Sequence, residues 1–181
     1  MTQIQVYLAG PDVFLPDAAA HARAKIAICA RYGLVGRAPA EAAALPNEDP
    51  WRGIFLADLR MMEECDIVIA NLTPFRGPSA DAGTLVELGW FLGRGRKVFG
   101  YSNSAVPFPA RSIEQRRALP DPLPGLMEEN FGLSDNLMVP GAVEYGGGLP
   151  IVLPPDGLSR RFDALDVFES CVAQAATSLH A

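Results

Sequence analysis

The sequence has few of the residues that build disulfide frameworks and metal sites. Its 181 residues include 3 cysteines and 2 histidines. Cys29, Cys65 and Cys171 are widely spaced along the chain, which predicts neither a disulfide framework nor a zinc site. We therefore expect buried free thiols in a reducing compartment, and no bound metal.

Basic residues are also in the minority. Lys and Arg number 15 against 21 Asp and Glu, so the net charge is −6. Because nucleic acids and anionic membranes bind basic surfaces, this balance predicts neither a nucleic-acid partner nor a membrane partner. No apolar run approaches the roughly 20 residues of a membrane helix. The first residues, MTQIQVYLAG, do not resemble a secretory signal, so we expect a cytoplasmic protein.

The two common glycine-rich phosphate motifs are missing. The segment YLAGP carries a single glycine, and neither GxGxxG nor GxxxxGK[ST] occurs in the chain. Without a glycine cradle for phosphates, a dinucleotide or triphosphate cofactor is not expected, and we predict no cofactor.

Strand and helix patterns alternate along the chain, which is long enough for one domain (1–181) with a sizeable core. This order predicts a doubly wound α/β fold, flavodoxin-like or Rossmann-like, with a mainly parallel five-stranded sheet and helices on both faces. The stretch 103–125 is expected to be a long surface loop, and 140–161 has no clear pattern. Strands are predicted at 4–10, 34–39, 66–72, 97–102 and 136–139, and helices at 16–31, 51–65, 84–95 and 161–179.

Polar residues follow the first strand and the strand at 66–72. Tyr7 and Gly10 end the first strand, whereas Asp81 and Glu87 follow the other. In the usual doubly wound order these two strands are neighbours, and ligands bind beyond their carboxyl ends. Two carboxylates with a tyrosine suit glycosyl chemistry, because anions stabilise an oxocarbenium-like transition state.

Three segments resemble the nucleoside 2-deoxyribosyltransferase family. They are YLAGPDVF, DIVIANLTPFRGPSADAGTLVELG and FGLSDNLM, which together span about 7–138. The resemblance implies a pentosyltransferase that exchanges the bases of 2-deoxynucleosides through a covalent deoxyribosyl-glutamate intermediate. The partners it implies are 2-deoxynucleosides, free purine or pyrimidine bases, and further copies of the chain in a homodimer or higher homo-oligomer.

The resemblance also implies roles for single residues. Glu87 matches the nucleophile, and Tyr7 matches the tyrosine that orients it. Asp81 matches a carboxylate that binds the sugar hydroxyls or the base. Asp58 matches one that binds and protonates the base.

Further residues of the same segments would contact the substrate. Phe14 is a candidate to stack on the base, and Gly10 lies at the end of the first strand beside it. Asn136 matches an asparagine that a neighbouring subunit donates to the sugar 5′-hydroxyl. Active sites shared between subunits are therefore expected.

Structural explanations exist for the same residues. Thr84 and Glu87 fit a capping box in which Thr84 is the helix N-cap, and Asp81 could be a turn or N-cap residue. Asp58 could be an exposed helix residue, and Tyr7 a core tyrosine with a satisfied hydroxyl. Asn136 could be an ordinary loop asparagine.

Two other functions stay open from the sequence. One is a hydrolase that cleaves the N-glycosidic bond of nucleosides or nucleoside monophosphates with water as acceptor, and the other is a non-catalytic nucleotide-binding module. The segment PDVFLPD carries two aspartates and no cationic donor. Because carboxylates repel a phosphate, this segment favours free nucleosides over monophosphates.

Overall fold

Residues 3–39, 49–118, 125, 127 and 129–180 are described by the structure, a computed structural model. Their strands form one parallel sheet in the order β2-β1-β3-β4. Within these residues, none of the helices combines the length and apolar character needed to cross a membrane. The strands are β1 (Gln5–Ala9), β2 (Val35–Arg37), β3 (Ile67–Asn71) and β4 (Lys97–Tyr101). The helices are α1 (Ala18–Arg31), α2 (Pro50–Glu64), α3 (Ala82–Gly93), α4 (Phe108–Ala118), α5 (Met138–Gly147) and α6 (Asp166–His180), with a short 3-10 helix at Pro11–Phe14.

The strand order places a topological switch point between β1 and β3. The chain leaves β1 for β2 on one side and then returns past β1 to form β3 on the other. Tyr7 of β1 lies beside Val68 of β3 in parallel register. The predicted parallel α/β fold is confirmed, as is the neighbouring position of these two strands. Their carboxyl ends therefore open at the same edge of the sheet.

Helices cover both faces of the sheet. On one face, α1 and α6 pack against the side chains of Val6, Ile69 and Phe99. On the other face, α2, α3 and α5 pack against Tyr7, Val68 and their neighbours. Every residue of β3 is buried, as its continuous apolar sequence predicts for a central strand with two covered faces.

The predicted fifth strand at 136–139 is wrong. Met138 and Val139 begin α5, and Val139 and Val143 form its buried stripe. A short apolar run fits a helix and a strand equally well, so periodicity could not separate them. The position beside β4 is taken instead by Val152, which pairs with Tyr101 in a single parallel bridge. The described residues thus form four strands rather than five.

The predicted surface loop at 103–125 is partly wrong as well. Residues 108–118 form α4, and the segment 119–124 lies outside the described residues. Most residues of α4 are polar and only Pro109 is buried, so its sequence lacks the apolar stripe that indicates a helix. Arg111 of this helix reaches the loop in front of α3 and bonds to the Pro78 carbonyl.

The last turn of α5 packs directly on β4. A Cβ atom on Gly147 would lie 2.1 Å from the carbonyl oxygen of Val98, and one on Gly146 would lie 2.5 Å from a methyl group of the same valine. Such contacts lie far inside van der Waals distance, so only glycine lets the helix come this close. By contrast, nothing lies within 4 Å of a Cβ built on Gly141 of the same helix.

We therefore expect Gly147→Ala to lower the free energy of unfolding by at least about 2 kcal/mol, because the helix must move off the sheet. Gly141→Ala is the matched control, and we expect it to raise stability by up to about 1 kcal/mol through helix propensity. Urea denaturation of both variants measures the difference. Equal stability of the two would contradict the packing described here.

Candidate active site

A cleft of about 440 Å³ lies beyond the carboxyl ends of β1 and β3. Its walls come from the 3-10 helix after β1, from α2 and from the first turns of α3. Five of the residues predicted from the sequence line it: Gly10, Phe14, Asp58, Asp81 and Glu87. Among the described lining residues none is a lysine or an arginine, so the cleft is acidic and apolar in character.

Tyr7 and Glu87 meet beneath this cleft. The Tyr7 hydroxyl donates a hydrogen bond of 2.7 Å to Oε1 of Glu87. The Tyr7 ring is fully buried and stacks on Phe91 at a centroid distance of 5.8 Å, which fixes its direction. The prediction that these two residues meet at one crevice is confirmed, although they are 80 positions apart in the chain.

The start of α3 settles which residue caps this helix. Asp81 is the N-cap, and its Oδ2 accepts hydrogen bonds from the Thr84 backbone N–H at 3.0 Å and from the Thr84 hydroxyl at 3.2 Å. The capping-box interpretation, with Thr84 as the cap, is therefore wrong. Glu87 lies inside the helix and turns toward Tyr7. Asp81 both caps the helix and lines the cleft, and both of these bonds use the same carboxylate oxygen.

Burial shifts the acidity of the two deepest carboxyl groups. Burial raises the pKa of Glu87 to about 7; the Tyr7 hydrogen bond opposes this rise, and the charges of Asp58 and Asp81 add to it. Burial also raises the pKa of Asp58 to about 6. Oδ1 of Asp58 is buried without a hydrogen-bond partner among the described residues. Each of these groups can therefore hold or release a proton near neutral pH.

Phe14 forms the outer wall of the cleft. Its side chain is 59% exposed and stacks on Phe75, with centroids 5.5 Å apart and planes at 13°. The Arg76 guanidinium lies 4.8 Å from the Phe14 ring and 4.7 Å from the Phe75 ring. Phe14 is thus an accessible aromatic surface with support from its neighbours, as stacking on a planar ligand would require.

A buried ion pair behind the 3-10 helix was missed in the sequence. Oδ2 of Asp12 accepts a 2.7 Å bond from Nζ of Lys25, and Oδ1 accepts a 2.9 Å bond from Asn71. Lys25 is only 2% exposed and lies over the Phe168 ring. The signal was present, because Lys25 falls on the apolar stripe of α1 between Ala22 and Cys29.

This ion pair corrects the expectation that Asp12 strongly repels a phosphate. Lys25 and the neighbouring His21 hold the pKa of Asp12 well below its usual range, although burial alone would raise it. The charge of Asp12 is therefore balanced inside the protein, and its repulsion of a phosphate is weaker than the sequence suggested. The acidic cleft residues still disfavour a phosphate.

Asn136 does not line the cleft within its own chain. Its Nδ2 donates to the Glu129 carboxylate, and its Oδ1 accepts a 3.1 Å bond from the Met138 backbone N–H. It lies beside exposed apolar side chains, since Met138 is 70% and Tyr145 is 89% exposed. In the described part of the chain no group of three His, Cys, Asp or Glu side chains could hold a metal ion.

Comparison with known proteins identifies the family. The sequence model of the nucleoside 2-deoxyribosyltransferases matches residues 6–138, which include most of the first strand, the cleft helices and Asn136. The chain belongs to the nucleoside 2-deoxyribosyltransferase family. Outside the matched range lie most of α5 and the whole of α6.

Individual known proteins are similar to this deoxyribosyltransferase-family chain. An uncharacterized protein of Schizosaccharomyces pombe is 30% identical over 169 residues, which cover 81% of this chain and 80% of the relative. The solved structure of a 2-desoxiribosyltransferase from Leishmania mexicana is 27% identical with a TM-score of 0.67, covering 96% of this chain and 97% of that one. A conserved protein from Enterococcus faecalis, 20% identical with a TM-score of 0.57 and covering 96% and 99% of the two chains, shares the fold.

The raised pKa of Glu87 predicts a stability cost at high pH. The folded protein holds the Glu87 proton more tightly than the unfolded chain does, so stability falls as the pH rises from about 4.5 to about 7. Glu87→Gln carries no such charge. We expect it to exceed the parent protein in unfolding free energy at pH 8 by about 2 kcal/mol, allowing for the partial exposure of Glu87, and to match it near pH 4.

Urea denaturation at the two pH values measures this difference. The matched control is Glu63→Gln, which removes an exposed carboxylate of α2. A Glu87→Gln effect that is the same at both pH values would contradict the inferred burial of the charge.

Proposed function

We propose that the protein transfers 2-deoxyribose between bases through a covalent ester on Glu87. The observation that carries the proposal is the 2.7 Å hydrogen bond from Tyr7 to Glu87 beneath an open cleft, in a chain of this family. A carboxylate held in one orientation at the floor of a cleft is what nucleophilic displacement at a sugar carbon needs.

The first step breaks the N-glycosidic bond. An oxygen of Glu87 attacks the anomeric carbon, a C–O ester bond forms, and the C–N bond pair leaves with the base. Asp58 donates a proton to the departing base, and the charges of Glu87 and Asp81 stabilise the oxocarbenium-like transition state. The second step reverses these events, because a nitrogen of the incoming base attacks the same carbon, gives its proton to Asp58 and releases Glu87. Two inversions give net retention.

This scheme requires an ionised Glu87 beside a protonated Asp58. In the free protein the pKa of Glu87, about 7, lies above that of Asp58, about 6, so this arrangement of charges is the minor form of the pair there. Donation by the Tyr7 hydroxyl favours the ionised form of Glu87, and the burial of Asp58 without a partner for Oδ1 favours its protonated form. The two groups form a coupled pair near neutral pH, so the rate should show a pH optimum and not a plateau.

The remaining cleft residues have roles in substrate binding in this proposal. Phe14 stacks on the base, and Gly10 lets this part of the cleft wall pack closely on the end of β3, since a Cβ there would lie 2.8 Å from Cβ of Asn71. Asp81 uses one oxygen to cap α3 and offers the other to a sugar hydroxyl. The absence of lysine and arginine among the described lining residues favours a free nucleoside over a monophosphate.

We expect the protein to exchange the base of deoxyinosine for adenine, and Glu87→Gln to reduce this exchange by at least about a thousandfold, because no ester can form. Chromatography of the products measures exchange. A mass increase of one deoxyribosyl unit on the Glu87 peptide would support the ester directly. Glu63→Gln, which removes an exposed carboxylate of α2, is the control and should keep full activity.

The outcome also separates the alternatives. Release of hypoxanthine without transfer to adenine would assign a hydrolase with water as acceptor. Neither reaction, in a folded protein that binds nucleosides, would assign a binding module. Near-normal exchange by folded Glu87→Gln would show that this residue is not the nucleophile.

The position of Asn136 supports a shared site in the same proposal. Asn136 lies outside its own cleft, next to the exposed side chains of Leu137, Met138 and Tyr145. In an assembly of identical chains, these apolar residues would lie at the interface and bring Asn136 to the sugar of the neighbouring cleft.

Mixing inactive variants tests the shared site. Glu87→Ala and Asn136→Ala chains should each lose most of the exchange activity, and a mixture should recover part of it, because some mixed sites hold both native residues. Size-exclusion chromatography with light scattering verifies the mixed assembly. Lack of recovery in verified hetero-oligomers, or full activity in a monomer, would exclude the shared site.

A further inference from the structure

The loop at 77–81 controls where α3 begins. It runs from the end of the β3 region to Asp81, which is both the N-cap of α3 and part of the cleft wall. A shift of this loop would move Asp81 directly, and Glu87 with the helix. The polar groups of the loop are held by two side chains that do not line the cleft.

Asp135 accepts hydrogen bonds from donor groups of this loop. This carboxylate is 1% exposed. Its Oδ1 accepts the Ser79 hydroxyl at 2.5 Å, and its Oδ2 accepts the Ala80 backbone N–H at 2.8 Å. Oδ1 also accepts the backbone N–H of Asn136 at 2.7 Å. A buried carboxylate is costly unless such donors satisfy it, so these bonds fix the separation of the two segments.

Arg111 holds the same two segments through their acceptors. Its Nε donates to the Pro78 carbonyl at 2.7 Å, and Nη2 donates to the Ser134 carbonyl at 2.7 Å. Nη1 donates to the Val106 carbonyl. The guanidinium is planar with donors in fixed directions, so it can bind carbonyl groups from three segments in one geometry. Arg111 thus binds carbonyl groups, and Asp135 binds N–H and O–H groups, of the same two segments, 78–80 and 134–136.

We propose that Arg111 and Asp135 are positioning residues that hold Asp81 and Glu87 in place in the cleft. They also connect the loop at 77–81 to the segment that carries Asn136. The inference rests on the proposed function for its kinetic test. In this proposal α4 supports the cleft wall, because this helix carries Arg111. Neither residue touches the cleft, so both act through the loop at 77–81 and through α3.

A matched control separates positioning by Arg111 from a purely structural role. Arg160 also bonds through its whole guanidinium, to Asp166 at 2.8 Å, to Asp156 at 2.8 Å and to the Leu158 carbonyl at 2.7 Å. None of these partners lies in the loop at 77–81 or lines the cleft. Arg160→Met therefore reports the effect of losing a bonded arginine elsewhere in the fold.

The experiment measures base exchange and hydrogen exchange on the full chain. We expect Arg111→Met and Asp135→Asn each to lower kcat/KM by about tenfold to a hundredfold, because small displacements of catalytic groups are costly. Arg160→Met should keep kcat/KM within about twofold of the parent, whatever its effect on the melting temperature. Backbone amides at 79–84 should exchange faster in Arg111→Met, with those of β1 and β3 unchanged.

The pH profile separates positioning from a simple charge effect. Loosening the loop admits water to Glu87 and moves the Asp81 charge away, so the acid limb of kcat/KM in Arg111→Met should shift to lower pH. Loss of a nearby positive charge alone would shift this limb to higher pH. An upward shift, or an unmoved limb, would contradict the proposal.

The remaining outcomes are equally decisive. If Arg111→Met does not fold, Arg111→Lys and Ser79→Ala replace it in the test, since each removes only some of the hydrogen bonds of Arg111 and Asp135. These bonds are called the clamp. Folded variants with kcat/KM within about twofold of the parent would overturn the clamp. If the parent protein itself neither exchanges nor cleaves nucleosides, the proposed function fails, and unchanged amide exchange at 79–84 in Arg111→Met would separately overturn the clamp.

Discussion

The hydrogen bonds of Asp12 join the two loops on which the cleft depends. Asp12 follows β1, Asn71 ends β3, and the bond between them ties the carboxyl ends of neighbouring strands. Lys25 supplies the positive charge that makes a buried carboxylate tolerable at this point. The rings of Phe168 and Tyr101 surround the Lys25 ammonium group, so the pair also reaches the core beneath α6. The switch point of the sheet is thus fixed by an ion pair as well as by apolar packing.

The fold and the centre of the site could be predicted because strong, simple signals carry them. The apolar run of β3 and the β-rich segment before Gly10 mark two strands, and the carboxyl-end rule then brings Tyr7 and Glu87 together. The predicted fifth strand was wrong because an apolar run of three residues, 137–139, fits either a strand or the first turn of a helix. The capping box was wrong because two possible N-caps, Asp81 and Thr84, lie three residues apart.

The supporting residues could not be predicted from patterns. Arg111, Ser79 and Asp135 contribute to the site through hydrogen bonds between segments that are 23 to 56 positions apart. Local propensity and periodicity describe only neighbours in sequence, so they carry no information on such bonds. Lys25 is the exception, since a lysine on the apolar stripe of α1 indicates a buried partner even when the partner is unknown.

Within the described residues, neither edge of the sheet offers a long template for another strand. On one side β2 has only three residues. On the other side Val152 bonds to the backbone of β4, accepting from Ser102 N–H and donating to the Gly100 carbonyl, each at 2.9 Å. Exposed edges invite intermolecular sheet formation, and a short edge or a covering segment prevents it. The bridge at Val152 therefore covers the carboxyl end of the β4 edge, and the short β2 limits the exposed backbone at the other edge.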